Sequence, residues 1–314
     1  MYPNTTAIDR PDLEIALVEH LALAGSGFAG TKMFPILNSD KSSGKYHKIT
    51  FAELDKQILD NKKQSSTGYN RVQRKTGKDS YDCQKYGLEE ELDFDDVQRL
   101  GVIQSESIVT SAVGFNNLRS QEIRIKKTLW NTELFKGSSQ QKALKPWNDA
   151  AATVKKDIDL AKLRLKKNIG GTNGPGTRLV LLCSDEMIVN ILASDLIQKK
   201  TEFTRRIEES DPNLEQLAQY LRVDEIIEAS SRVEGELIFT NEFAMLAIVS
   251  ASEATQLVPR LGNTWLWTKS TGSNNTVETY RDENKEADII RVKHHVDEKL
   301  MCAACGILFT DVTK

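Results

Sequence analysis

Four groups of residues have types and spacings that could do chemistry. His294-His295 together with Cys302-x-x-Cys305 offers nitrogen and sulfur ligands of the kind zinc accepts. A zinc knuckle carries its CxxC on a turn, whereas Ala303-Ala304 lie between two apolar runs and read as strand interior. Alternate strand residues face opposite sides, so Cys302 and Cys305 would point apart. Buried, inert cysteines are the plainer reading. Cys183 follows a strand-like run and precedes a helix, where a helix N-terminus can lower a thiol pKa. No histidine lies near it in sequence, although that does not decide distance in space. A core cysteine is the simpler reading. Gly170–Gly176 (GGTNGPG) has the glycines of a phosphate loop. Such a loop runs strand, glycines, helix, so that amides aim at the anion. Here the order is helix, glycines, strand, and no Lys-Ser or Lys-Thr follows, which leaves a flexible turn.

The basic run Arg71, Arg74, Lys75 and Lys78, with Tyr69 and Tyr81 beside it, could meet nucleic acid through charge and stacking. It could equally meet an acidic protein surface, or be a solvated loop as most charge runs are. Glu89-Glu90-Glu91 is acid of the complementary kind. Trp130, Trp147, Trp265 and Trp267 are most simply core or interface aromatics. No nucleophile with a base and no acid/base pair emerges. The expectation is a non-catalytic protein without cofactor or metal.

The chain has 314 residues, 39% hydrophobic and 28% charged, enough for one large or two modest domains and too apolar for global disorder. A net charge of −3 excludes a bulk nucleic-acid condenser. Leu13–Gly25 is too polar for a signal sequence and too short to span a bilayer. Four sparse cysteines fit a reducing cytosol rather than a disulfide framework.

The elements that would position these groups follow from periodicity. Leu13, Leu17, Leu21 and Ala24 recur at helical spacing, and Gly25 can end that helix. Residues 25–51 read as an extended arm that needs another surface to lie on. Residues 52–91 open as a loop, then read as two strands turning near Gly77, a ribbon too small to stand alone. Asp93, Asp95 and Asp96 suit the start of a long helix running to Trp130, with Val97, Ile108, Ala112, Phe115 and Ile123 inward and Gly101 and Gly114 as weak points. Residues 148–258 read as an α/β unit. It has a helix over Ala151–Leu165 and a buried strand Arg178–Cys183. A helix capped by Ser184 and ending near Lys199-Lys200 follows, then another opened by Asp211-Pro212. Strands Glu225–Ala229, Leu237–Phe239 and Ala244–Val249 come next, with an exit at Pro259 and Gly262. Strand-like runs Thr276–Tyr280 and Ile289–Val296 and a closing strand Leu300–Phe309 complete a C-terminal sheet.

Five segments in order resemble the major capsid proteins of tailed bacteriophages of the Hong Kong 97 type. They are Phe28–Pro35 with Ser43–Tyr46; Tyr81-x-Cys83-x-x-Tyr86-Gly87-Leu88 with Glu91 and Asp95-Asp96; Asn117–Arg124 through Trp130-Asn131; Trp147-Asn148-Asp149 through Leu179–Ser184; and residues 276–314. The resemblance implies an α+β Hong Kong 97-type capsid fold with an N-terminal arm, an extended β-ribbon loop, a peripheral domain with a long spine helix, and an inserted axial α/β domain. On this chain these would be residues 1–47, 48–91, 92–147, 148–265, and, for the peripheral C-terminal sheet, 266–314.

The function implied is a coat protein that self-assembles as hexamers and pentamers into an icosahedral shell around packaged phage DNA. Scaffolding, portal and decoration proteins would be further partners. DNA would be contacted weakly and non-specifically, and no membrane is involved. Assembly would take place in the host bacterial cytoplasm, and the product is the virion. Arg71, Arg74, Lys75, Lys78 and Tyr81 would be the subunit interface of the extended loop. The chain starts almost at the arm, so either a separate scaffold or a missing propeptide is expected. Covalent cross-linking is not carried over, because no specific Lys and Asn match. Two alternatives stand beside this reading: a nanocompartment shell of the same fold, and an α/β ligand-binding enzyme using the 178–200 strand–helix edge.

Overall fold

The computed structural model describes residues 7–24, 27–48, 77–92, 97–98, 101–170, 176–194, 214–250, 258–271, 275–283, 285 and 287–313. The chain begins with strand β1 (Ile8–Asp9), helix α1 (Pro11–Ala24), a short helix α2 (Gly30–Met33), and strands β2 (Ile36–Ser39), β3 (Ser43–Lys48), β4 (Gly77–Asp82) and β5 (Gln84–Leu92). The long helix α3 (Val102–Leu129) leads to β6 (Gln140–Lys142), α4 (Val154–Asn168), β7 (Thr177–Ser184), α5 (Asp185–Leu192) and α6 (Leu214–Leu221). Then come β8 (Glu225–Ala229), the hairpin of β9 (Arg232–Val233) and β10 (Glu236–Leu237), β11 (Ala244–Ser250), β12 (Gly262–Trp267), α7 (Thr268–Thr271), β13 (Thr276–Asp282), β14 (Ala287–Leu300) and β15 (Gly306–Thr310).

A five-stranded sheet, ordered β6-β15-β11-β7-β8, is covered on both faces. Leu181, Cys183, Leu246, Ile248, Ile307 and Phe309 face a core built with α4, α5 and α6. Their neighbours Val180, Leu182, Met245, Ala247, Val249 and Leu308 face a second core with Phe34, Ile125, Leu129 and Phe135. Period-two alternation with both faces buried requires continuous apolar runs, which is why RLVLLC and AMLAIV carry no polar residue inside. Ser184 Oγ accepts from the amide of Met187 and caps α5, as expected. That helix closes at Leu192; Lys199-Lys200 and Asp211-Pro212 lie outside the described residues. The closing strand, grouped by sequence with the C-terminal sheet, instead enters the five-stranded sheet between β11 and β6. Residues Ile307, Leu308 and Phe309 are all fully buried there, a pattern that only a doubly covered strand satisfies.

A six-stranded sheet contains β1-β13-β14-β12-β2, with β5 also paired to β14. The 14-residue β14 is its spine: β13, β5 and β12 all pair with it antiparallel. Helix α3 lies across this sheet and reaches the other core through Ile125 and Leu129. Two expectations about α3 are corrected. The helix starts after Gly101, whose φ of 84° is left-handed and stops any continuous helix from Asp93; Asp93, Asp95 and Asp96 lie outside the described residues. The inward face is also not the apolar one. Ile108 is 52% exposed, while Ser105, Thr110, Asn117, Gln121 and Glu122 are buried beside Val113, Gly114, Ile125 and Leu129. Hydrophobic periodicity misreads a helix whose buried stripe is polar.

Candidate functional site

The residues singled out for catalysis or metal binding are placed apart from one another. Cys183 sits in β7 within the apolar core, and burial alone pushes its thiol well above its ordinary pKa. Gly170 and Gly176 both have φ of 73°, the first ending α4 and the second leading into β7; the residues between them lie outside the described set. His294 and His295 point to opposite faces of β14, as neighbours on a strand must. His295 meets Trp267 at 5.4 Å. His294 is fully buried, edge-on to Tyr86 at 6.0 Å and with Nε2 3.4 Å from Arg124 Nη2. Burial, reinforced by the Arg124 charge, lowers its pKa to about 3 and keeps the ring neutral.

The reading of Ala303-Ala304 as strand interior is overturned. Residues Ala303–Cys305 form a 3₁₀ turn, with the Cys305 amide donating to the Cys302 carbonyl at 3.1 Å, so the two cysteines share one turn. A short helical turn is invisible to an alternation argument because alanine and cysteine fit both. Among the described residues, no three or more His, Cys, Asp or Glu side chains are grouped so as to hold a metal ion.

The ribbon differs from its expected form. Strand β4 begins at Gly77 instead of turning there, and it pairs antiparallel with β3, from Ser43↔Asp82 to Lys48↔Gly77. Strand β5, expected as the return strand, pairs with β14 from Gln84↔Val296 to Leu92↔Asp288. The reason lies in the faces. Acidic Glu89 and Glu91 find partners on the sheet, Arg291 at 2.8 Å and Lys285, while β3 supplies the backbone partner for the polar β4. Much of the acid expected to meet a neighbour's basic run is therefore engaged within the chain.

The base of the ribbon is locked. Tyr81 stacks on Trp265 with ring centroids 4.3 Å apart and 8° between planes, and its hydroxyl shares a 2.7 Å hydrogen bond with Ser39. Gly44 is required opposite: a Cβ there would come 2.8 Å from the Tyr81 ring. Leu37, Tyr46, Cys83 and Met301 fill the rest of this small core. The Asp82 amide donates to Asp297 at 2.8 Å. Tyr81, expected at a subunit interface, is thus buried within its own chain, where it anchors the ribbon. Lys78 is exposed on β4 opposite His47, and Arg71, Arg74 and Lys75 lie in the connection outside the described residues.

Helix α3 is fastened by groups the sequence did not advertise. Arg124 bridges to Glu298 at 2.7 Å and lies over the Tyr86 ring at 3.8 Å. Glu122 accepts from the amides of Ala29 and Gly30 at 2.8 and 2.7 Å and from Ser231 Oγ at 3.3 Å. It thereby ties the start of α2, α3 and the loop after β8 together. The only sequence signal was charge inside an otherwise helical run. Taken together, the geometry is mechanical: a long helix clamped to a sheet, a second sheet buried on both faces, and a two-stranded ribbon fixed at one end.

No protein-family model matches the sequence, and no curated protein matches it. Solved structures do match. A phage-related protein from Bordetella bronchiseptica superposes with a TM-score of 0.72 over 98% of this chain and 98% of that one, at 17% identity. The capsid of cyanophage P-SCSP1u gives a TM-score of 0.56 at 10% identity, covering 88% of this chain and 86% of that chain. The SrpI encapsulin of Synechococcus elongatus gives 0.54 at 10% identity, covering 90% and 86%. The fold is the Hong Kong 97-type capsid fold.

Proposed function

We propose that this chain is a major capsid protein, structural and non-catalytic, that self-assembles as hexamers and pentamers into an icosahedral shell enclosing packaged phage DNA. The observation that carries the reading is the near end-to-end likeness to a phage-related protein, with phage capsids among the other structures it resembles. The physical supports are the ribbon and the spine helix. A two-stranded ribbon is marginal in water unless it meets another surface, and among its described residues Tyr46 and Tyr81 are buried in its own subunit while Lys78 and Ser80 are exposed. Many modest contacts repeated by symmetry then add to a stable shell.

In this reading residues 1–47 are the arm, 48–91 the extended loop, 92–147 and 266–314 the peripheral domain and 148–265 the axial domain, with β15 threaded back into the axial sheet. Arg71, Arg74, Lys75 and Lys78 meet a neighbouring subunit, and Tyr81 holds the ribbon at the angle that lets them. The setting is the virion, assembled in a host bacterial cytoplasm with separate scaffolding, portal and decoration proteins. Packaged DNA is touched weakly and non-specifically, consistent with the net charge of −3. Among the described residues, no helix is long and apolar enough to cross a membrane.

The likeness to an encapsulin favours a second reading, a nanocompartment shell. Electron microscopy of the purified protein separates these from an α/β enzyme: closed shells or capsomers are expected, and small discrete particles under all assembly conditions would refute both shell readings. Double-stranded DNA inside shells purified from the native source selects the capsid, and a protein cargo selects the nanocompartment.

A further inference from the structure

The crossing between the two sheets carries a pair of thiols, Cys302 and Cys305. Strand β14 ends at Leu300 in the six-stranded sheet and β15 begins at Gly306 in the five-stranded one. The link between them is fixed at its start, where the amides of Met301 and Cys302 both donate to the Leu261 carbonyl at 2.8 and 3.1 Å. The Leu261 amide in turn donates to the Ile248 carbonyl at 2.8 Å, on the passage from β11 to β12. A Cβ on Gly306 would come 2.7 Å from Leu261 Cδ1, so Gly306 packs on the Leu261 side chain without slack.

Cys302 and Cys305 bracket this link. The bond from the Cys305 amide to the Cys302 carbonyl closes a four-residue turn, whose ends lie within about 7 Å. A disulfide spans Cα atoms roughly 4.4–6.8 Å apart. The Cys302 thiol is close enough to Cys305 to push the Cys305 pKa up. Cys302 is partly exposed and Cys305 is buried. That is the division found in exchange-active CxxC pairs, one accessible sulfur to attack and one sheltered sulfur to resolve. Cys83 lies in the small core beside Trp265 and Cys183 in the strand interior of the core that Cys305 also joins, and neither has a cysteine at such sequence spacing.

We propose that Cys302 and Cys305 are a thiol–disulfide exchange site, oxidised by low-molecular-weight disulfides to an internal disulfide across the crossing. Cys302 gives its proton to solvent, and its sulfur attacks one sulfur of the small disulfide. That S–S bond breaks, one thiolate leaves and takes up a proton, and a mixed disulfide remains on Cys302. Cys305 then loses its proton and attacks the Cys302 sulfur, and the second small thiol departs. The protein loses two protons and two electrons, and the small disulfide gains them as two thiols. The Cys302 thiol and burial hold Cys305 protonated in the reduced chain, and burial still acts once Cys302 is a mixed disulfide, so the second step is the slow one and accelerates with pH. The site stands whether or not the chain forms shells.

The test treats the purified full-length chain with excess oxidised glutathione, quenches in acid, alkylates in denaturant and maps peptides after trypsin. Cleavage after Lys299 releases both cysteines on one peptide, residues 300–314. The expected result is that this peptide becomes two hydrogens lighter and resists alkylation until reduced, while Cys83 and Cys183 remain alkylatable. Cys305→Ser should stop at the glutathione adduct on Cys302, which shows which sulfur attacks. Full alkylation of residues 300–314 at pH 8 after prolonged exposure, or a stable adduct on wild-type Cys302 that never resolves, would overturn the proposal.

Discussion

The carboxylate of Glu122 on α3 accepts a 2.7 Å hydrogen bond from the amide of Gly30 at the start of α2, and a Cβ on Gly30 would come 2.5 Å from that same oxygen. Helices α2 and α3 are therefore joined by a contact that admits glycine alone. Burial pushes the carboxyl up to about 7, against the two amides and the Ser231 hydroxyl, which favour its ionised form. The reference value for an exposed glutamate is 4.5. A folded pKa above the unfolded one means that the folded chain holds the proton more tightly. The contribution is full below about 4.5 and is lost as pH rises to about 7, a change on the order of 3 kcal/mol. Urea midpoints at pH 5 and pH 8 should separate wild type from Glu122→Gln, with the mutant lacking this part of the pH dependence. Identical pH slopes would show that Glu122 does not titrate in this range.

Gly114 lets α1 pack tightly on α3: a Cβ there would come 2.3 Å from Leu17 Cδ1. Gly114→Val should destabilise by roughly 1–3 kcal/mol through overpacking. Adding Leu17→Ala should recover part of that loss, which a double-mutant cycle in urea measures. Simple additivity would mean the two side chains do not share the space.

Arg124→Ala should cost about 3–5 kcal/mol, because Glu298, with a side chain 7% exposed, is left as an uncompensated buried charge. Pairing it with Glu298→Gln should cost less than Arg124→Ala alone. Thermal or urea unfolding of the two variants decides this, and a double variant less stable than the single one would contradict it.

Tyr81→Ala should release the base of the ribbon from Trp265 and destabilise that small core by roughly 3 kcal/mol. Limited proteolysis should then cut within residues 43–82 faster than in wild type, while the two-sheet core stays intact. Unchanged cleavage would place the anchor elsewhere.

Reversing Arg71, Arg74 and Lys75 to Glu should leave the fold unchanged by circular dichroism but block assembly in sedimentation. Exposed ion pairs are individually worth only ~0–1 kcal/mol, but the loss recurs at every subunit contact. Normal-sized shells from the triple variant in physiological salt would make these charges ordinary solvated surface.

The order of elements, the doubly buried strands β7 and β11, the Ser184 cap and the capsid-like succession of segments could all be read from the sequence. Each rests on local patterns, alternation or capping, that a linear string displays. Which strands pair could not be read. A strand starting at Gly77 is equally satisfied by a partner before or after it, and only the packing of Tyr81 on Trp265 selects β3. The polar inner face of α3 was illegible for a related reason: Thr110, Asn117 and Gln121 are inside because of what surrounds them, not because of their own preference. The Cys302–Cys305 turn belongs to the same class, since two alanines fit strand and turn alike. Local chemistry fixes what each segment can be, and long-range contacts, made between residues up to hundreds of positions apart, choose among those options.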